Sequence, residues 1–116
     1  MILIYKNMDS EEIHKKYLKE ACELAAKAVE NGGGPFAGII VNEKGEVIAS
    51  AHNKVVPNHD PSAHGEVETI REACKNIGST NLSGCTLYSS SEPCPMCLGC
   101  CYWSNIKKIY YAISVE

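Results

Sequence analysis

The chain has 116 residues, of which 45% are hydrophobic and 22% are charged, and its formal net charge is −3. This length supports one domain, spanning residues 1–116, and the negative charge argues against a surface that neutralises nucleic-acid phosphates. No apolar run approaches the roughly 18 residues of a membrane span, and residues 1–5 are too short for the core of a signal peptide. We therefore expect a small-molecule substrate, no nucleic acid, no membrane association and a cytoplasmic location.

The first half of the chain predicts a helix followed by a hairpin. A helix over about residues 10–30 is indicated by a capping box at Asp9 and by apolar residues that recur at helical spacing. A glycine-rich stretch with a proline then ends it. The β-rich runs 36–41 and 47–52 should pair antiparallel, with Gly45 in the left-handed conformation.

The second half of the chain predicts alternating helices and strands. A helix follows the polar stretch 53–62 and has Gly78 as its C-cap, and residues 85–90 form a strand. A helix at 95–104 and a strand at 108–113 complete the order αββαβαβ. Because strand–helix–strand units favour parallel pairing, we expect an α/β fold, a three-layer αβα sandwich around a mixed sheet.

Two motifs place metal-ligating residues at predicted helix starts. His64 lies in the first turn of the second helix, Cys94 just before the third helix, and Cys97 one turn into it. The positive partial charge of a helix N-terminus stabilises the thiolate form of cysteine, which is the form that binds zinc. One imidazole and two thiolates leave a tetrahedral zinc with an open position for a water whose pKa falls to about 7.

Glu66 adds a carboxylate to this site. Positions i and i+2 diverge by about 200° around a helix, so Glu66 is poorly placed to bind the same metal as His64. A carboxylate beside the metal can instead take a proton from water and deliver it to a leaving amine. We expect Glu66 to be this proton shuttle.

The chain has seven cysteines, an odd number, and four of them lie within residues 94–101. This clustering favours metal binding over a disulfide framework. The spacing of Cys94, Cys97 and Cys100 resembles an iron–sulfur run, but the remote fourth cysteine with its proline is missing. A fourth sulfur from Cys100 or Cys101 would instead close a structural zinc site and abolish hydrolysis, so we expect both residues to be small buried hydrophobes.

The paired motifs H-x-E and P-C-x-x-C resemble those of the cytidine deaminase-like superfamily. The sequences at 58–66, 92–99, 33–36 and 102–103 resemble its bacterial guanine deaminase branch, and the similarity spans about 33–112. The tRNA adenosine deaminases share the sequence EPCPMC. The resemblance implies a cytidine deaminase-like fold, a zinc cofactor and hydrolytic deamination of a nucleobase, with guanine to xanthine and ammonia as the leading reaction.

Alternatives to guanine deamination stay open at this point. Within the enzyme class they are a cytosine, cytidine or tRNA adenosine deaminase. In a different class, the chain is a catalytically silent zinc-binding module. Release of ammonia from a panel of bases separates these possibilities.

The resemblance also assigns roles to individual residues. His64, Cys94 and Cys97 are implied to be the zinc ligands and Glu66 the proton shuttle. Gly65 replaces the alanine that is usual in the branch, and its backbone stays accessible to substrate.

Three further residues are implied to contact the substrate. Asn53 would hydrogen-bond the base, with a turn asparagine as the alternative. Phe36 and Trp103 would form the walls of the pocket, and for Trp103 a core or dimer-interface role is equally open.

The length of the chain carries the last expectation. Members of the branch continue through further helices, which supply substrate contacts and are exchanged between subunits, whereas this sequence stops at Glu116. We therefore expect the last strand to lie at an unpaired edge beside uncovered apolar surface. Self-association as a homodimer of a different kind, or a truncated sequence, would account for this.

Overall fold

The computed structural model describes residues 2–6 and 11–112, which form a five-stranded mixed sheet with helices on both faces. The strands are β1 (Leu3–Lys6), β2 (Ala37–Val41), β3 (Val47–His52), β4 (Thr86–Ser89) and β5 (Lys108–Tyr111). The helices are α1 (Glu12–Glu30), α2 (Val55–Asn58), α3 (Gly65–Ile77) and α4 (Pro95–Trp103). The predicted order αββαβαβ is confirmed, with β1 and the short α2 in addition.

The pairing of the strands makes the sheet mixed, as predicted. Its order is β1-β5-β4-β2-β3. β2 pairs antiparallel with both β3 and β4, and β4 pairs parallel with β5 across the α4 connection. The hairpin between β2 and β3 has Gly45 at a φ of 82°, the left-handed conformation that its sequence predicted.

Side chains alternate along the strands between two hydrophobic clusters. Leu87 of β4 and Ile109 of β5 pack with α3 and α4 on one face. Their neighbours Tyr88 and Tyr110 pack with α1 on the other face. Each face of the sheet is therefore covered by helices, which confirms the three-layer sandwich.

The expectation that the last strand lies at an unpaired edge is wrong. β1 pairs parallel with β5 along its whole length, so the edges of the sheet are β1 and β3. The sequence offered little sign of β1, because its four residues gain their conformation from hydrogen bonds to the other end of the chain.

The ends of the helices follow local sequence signals. α1 begins at Glu12, after an N-cap at Glu11 that makes no side-chain capping bond, while the predicted capping residue Asp9 lies outside the described residues. α3 ends at Gly78 with a φ of 69°, as predicted. Among residues 2–6 and 11–112, no helix has the length and hydropathy needed to cross a bilayer.

Candidate metal centre

Two helix N-termini meet at one side of the sheet and carry the three predicted ligands. His64 is the N-cap of α3 and Cys94 is the N-cap of α4, each with an extended backbone. Pro95 occupies the first position of α4, where a backbone N–H has no partner within the helix, so the proline costs no hydrogen bond. Cys97 lies in the same turn. Both thiols therefore face the imidazole that precedes α3.

The distances between the three side chains match a tetrahedral zinc site. The Nδ1 atom of His64 lies 3.6 Å from each sulfur, and the Sγ atoms of Cys94 and Cys97 are 3.5 Å apart. A tetrahedral zinc with bonds of about 2.3 Å to sulfur and about 2.0–2.1 Å to nitrogen separates two sulfurs by about 3.8 Å and nitrogen from sulfur by about 3.6 Å. These residues fit zinc without rearrangement.

Within the described part of the chain, His64, Cys94 and Cys97 form the one group of histidine, cysteine and acidic side chains that could hold a metal ion. Cys101 is fully buried in the cluster beneath α3 and α4, and Cys100 is half-buried against it. Both cysteines therefore pack as small hydrophobic residues, as predicted. Three protein ligands leave a coordination position for a water, which is typical of a catalytic zinc site rather than a structural one.

Glu66 lies beside this group and is almost fully buried, with 4% of its surface exposed. Burial raises the pKa of its carboxyl group, although hydrogen bonds to Cys97 and Ser89 and the charge of His64 oppose the shift. A raised pKa makes the carboxylate a better proton acceptor, as a group that takes a proton from water must be. Glu66 is therefore suited to proton transfer.

Burial also raises the pKa of the Cys97 thiol, and the charge of Glu66 raises it further. The sequence had predicted that the N-terminus of α4 would favour the thiolate. At Cys97, desolvation and a neighbouring carboxylate oppose that effect of the helix N-terminus, because both disfavour a second negative charge. The divalent charge of a bound zinc would offset this cost and favour the thiolate.

A pocket of about 220 Å³ opens beside His64 and Cys94, and its volume lies below the roughly 300–1,000 Å³ of pockets for drug-sized molecules. It has the size for a small ring compound. Its lining consists of Phe36, Asn53, His64, Glu66, Ser91, Glu92 and Cys94.

A family model for the cytidine and deoxycytidylate deaminase zinc-binding region matches residues 11–113. The chain belongs to this deaminase family. Together with the ligand geometry, the match identifies it as a zinc-binding deaminase domain.

This deaminase domain is similar to relatives with three different names. It is 49% identical to the guanine deaminase of Bacillus subtilis over 85% of this chain and 64% of the relative. A crystal structure of that enzyme superposes on this chain with a TM-score of 0.82, covering 85% of this chain and 63% of the crystallised one. It is 43% identical to a tRNA-specific adenosine deaminase of Aquifex aeolicus over 83% of this chain and 63% of that protein. It is 39% identical to a probable cytosine deaminase of Schizosaccharomyces pombe over 94% of this chain and 67% of that protein.

The deaminase domain spans a little under two thirds of the length of the first two relatives. Three substrate classes occur among relatives at comparable identity. The relatives therefore share the deaminase family and differ in the base that their names give as the substrate.

Two of the four predicted substrate residues lie at the pocket. Phe36 and Asn53 line it. The backbone N–H of Asn53 donates to the carbonyl of Phe36, and its side-chain oxygen accepts the N–H of Val55. Asn53 thus makes the turn contact that was weighed as an alternative, and it also faces the pocket.

The structure does not bring Trp103 or Gly65 to the pocket lining. Trp103 is at the end of α4 with 81% of its surface exposed, which excludes a core role within this chain. A Cβ atom on Gly65 would lie 2.8 Å from the carbonyl oxygen of Phe36, so the start of α3 packs directly on the backbone that leads into β2. Glycine at this position permits that close approach.

Three residues of the site had no role in the sequence interpretation. Ser89 is fully buried beside Glu66, and Ser91 and Glu92 line the pocket. Glu92 was part of a quoted motif but had no assigned function. The serines carried no signal at all, because a serine-rich stretch after a strand is typical of an ordinary loop.

Proposed function

We propose that this chain deaminates guanine by hydrolysis, giving xanthine and ammonia. The observation that carries the proposal is the set of three ligand atoms at tetrahedral spacing, with the buried Glu66 carboxyl beside them in a pocket of ring size. The choice of guanine is supported by the 49% identity to the guanine deaminase of Bacillus subtilis.

His64, Cys94 and Cys97 would hold the zinc, which when bound supplies a water that ionises near neutral pH. Glu66 would accept a proton from the attacking water and pass it to a ring nitrogen of the base as the oxygen adds to the amine-bearing carbon. It would then take the second proton from the newly bonded hydroxyl and deliver it to the amine, whose carbon–nitrogen bond breaks, so guanine and water become xanthine and ammonia. Backbone N–H groups near Cys94 would stabilise negative charge that develops on the ring.

Phe36 and Asn53 would orient the base. Phe36 offers a flat apolar wall on which an aromatic ring can stack. Because the oxygen of the Asn53 amide accepts the N–H of Val55, its NH₂ group is the part that would donate to the base. The variant Asn53→Asp keeps an acceptor for Val55 and removes the donor, so we expect KM to rise while zinc stays bound.

The deciding experiment measures ammonia release from guanine, cytosine, cytidine, adenine and tRNA by the zinc-loaded protein, with Glu66→Gln as the inactive control. Release from guanine alone supports the proposal. Release from cytosine or tRNA would instead identify that compound as the substrate. These two substrates appear in the names of relatives at 39% and 43% identity. Full zinc content with no release from any compound would instead identify a silent zinc-binding module.

We also propose that the chain forms a homodimer through the exposed side of α4. Tyr102 and Trp103 are 65% and 81% exposed and pack edge to face with ring centroids 5.6 Å apart. Paired exposed aromatic rings are enriched at protein interfaces. Sedimentation analysis of the wild type and Trp103→Ser tests this proposal, and we expect the variant to shift to monomer.

The organisation of residues 1–116 as one domain and a cytoplasmic location stay predictions.

A further inference from the structure

His64 joins α3 to the preceding residues 60–63, here called the ligand loop. As the N-cap of α3 it accepts the N–H of Glu68 through its carbonyl, but its ψ of 154° is extended, so its backbone continues the direction of the ligand loop. Within this loop the N–H of Ala63 donates to the carbonyl of Asp60, and the N–H of His64 donates to the carbonyl of Ser62. The position of the imidazole therefore depends on the shape of the ligand loop.

A network of polar side chains fixes the ligand loop from within. One carboxylate oxygen of Asp60 accepts both the backbone N–H of Ser62, at 2.9 Å, and its hydroxyl, at 2.7 Å. This arrangement closes a tight turn two residues before the zinc ligand.

Arg71, the single arginine of the chain, joins this turn to the body of α3. Its Nη2 donates to the hydroxyl oxygen of Ser62 at 3.2 Å, and its Nη1 lies 3.5 Å from the second carboxylate oxygen of Asp60. The same Nη1 lies 2.6 Å from Glu68, one turn earlier on the helix. One planar guanidinium thus contacts the ligand loop at two points and its own helix at a third.

We propose that Arg71 is a positioning residue for zinc, because it holds Asp60 and Ser62 so that His64 stays at bonding distance from the metal. A metal site requires ligand positions within a few tenths of an ångström, and residues that orient a ligand influence metal affinity even when they do not touch the metal. The inference rests on the zinc site of the proposed function and is independent of which base is deaminated.

The exposure of the network decides where its effect should be seen. About half of the Arg71 side chain is solvent-exposed, and exposed ion pairs contribute little to overall folding stability. We therefore expect loss of Arg71 to change the zinc site far more than the unfolding of the whole domain. Lysine should not substitute, since an ammonium group lacks the fork that reaches two acceptors at once.

The test measures the zinc dissociation constant by competition with a chromophoric chelator, together with the visible spectrum of the cobalt-substituted protein and its urea midpoint. For Arg71→Met and for Asp60→Ala we expect zinc to bind about tenfold more weakly, with altered cobalt bands and a nearly unchanged urea midpoint. Arg71→Lys should show most of the same loss. The double variant should lose little more than either single variant, because the two residues act as one unit.

Matched controls separate positioning from charge. Glu68→Gln removes the negative charge that pairs with Arg71 within the helix and leaves the ligand loop contacts in place, and Lys75→Met removes one positive charge from the exposed last turn of the same helix. Both should bind zinc within about twofold of the wild type.

Two results would overturn the positioning role. One is an Arg71→Met dissociation constant within twofold of that of Lys75→Met, with Asp60→Ala equally silent. The other is weaker zinc binding with an unchanged cobalt spectrum and a matching fall in the urea midpoint, which indicates general destabilisation. Neither result depends on turnover, so a negative substrate panel leaves this test intact.

Discussion

The two faces of the sheet each hold a histidine in contact with side chains that are distant in sequence, and the two environments differ. On the α1 face, the Nδ1 atom of His14 lies 2.6 Å from the hydroxyl of Tyr88, and its ring stacks on Tyr110 with centroids 4.0 Å apart. At the start of α3, the Nδ1 atom of His64 meets two thiols at 3.6 Å. A hydroxyl satisfies an imidazole with one short hydrogen bond, whereas two sulfurs at 3.6 Å from one nitrogen have the spacing of ligands around a shared zinc.

The titration of the groups around each histidine supports the same contrast. Burial lowers the pKa of the half-buried His14, which favours the neutral ring that stacks on Tyr110 and pairs with the hydroxyl of Tyr88. Around His64, burial raises the pKa values of both Glu66 and Cys97. Perturbed groups that gather beside an open pocket are typical of a functional site.

Removal of each histidine gives the largest expected difference. His64→Ala should lose its zinc and all measurable deaminase activity, because two thiolates alone make an incomplete site. His14→Phe should keep about one zinc per chain and its activity, because its partners do not touch the metal. Metal analysis and ammonia release check both variants, and zinc retained by His64→Ala would contradict the assignment of the ligand.

A substitution of Glu66 should affect turnover without affecting zinc binding. Glu66→Gln should lower turnover by at least about 10²-fold, the contribution of a lost general acid and base, and should keep its zinc. Steady-state kinetics on the metal-loaded variant measure this effect. An active variant with intact metal would show that another group moves the proton.

Zinc affinity should depend steeply on pH. Because burial raises the pKa of the Cys97 thiol, the free protein carries that proton at neutral pH and must release it when zinc binds. Affinity should therefore fall about tenfold or more for each unit of acidification between about pH 8 and pH 6. Chelator competition across this range measures the slope, and a flat profile would show that the thiolate already exists before zinc binds.

The smallest expected effect is on the α1 face. Tyr88→Phe removes the hydroxyl that pairs with His14 and should lower the free energy of unfolding by about 1 kcal/mol, with zinc content unchanged. Val56→Ala is the control, since this side chain on α2 is 70% exposed and its truncation should change stability by less than about 0.5 kcal/mol. Equal urea midpoints for the two variants would show that the hydrogen bond between Tyr88 and His14 contributes nothing measurable to stability.

Much of the fold could be predicted from local sequence signals. The helix ends at Glu30 and Gly78 and the hairpin glycine at position 45 all follow conformational preferences of short segments. The short α2 was missed because Pro57 stands inside it, in a stretch whose composition indicates a loop. β1 was missed because its conformation depends on β5.

The candidate site also contains some features that local sequence could predict and others that it could not. The proximity of His64, Cys94 and Cys97 could be predicted because their spacing in sequence reflects helix geometry, while the role of Glu66 as proton shuttle stays a prediction. The contact of Gly65 with the backbone carbonyl of Phe36 could not be predicted, because it arises only when a helix start meets a distant strand. The position of Trp103 outside the pocket likewise depends on the direction of α4 and not on sequence spacing.

The pairing of β1 with β5 has a consequence for how the polypeptide is made. Residues 3–6 leave the ribosome before the rest of the sheet, yet the strand that they pair with, at residues 108–111, is the last of the five strands to emerge. Vectorial synthesis therefore limits the sheet to β4, β2 and β3 until translation has passed β5. During that interval the apolar side chains of Leu3 and Ile4 lie on an unpaired nascent segment, which is the kind of segment that molecular chaperones shield.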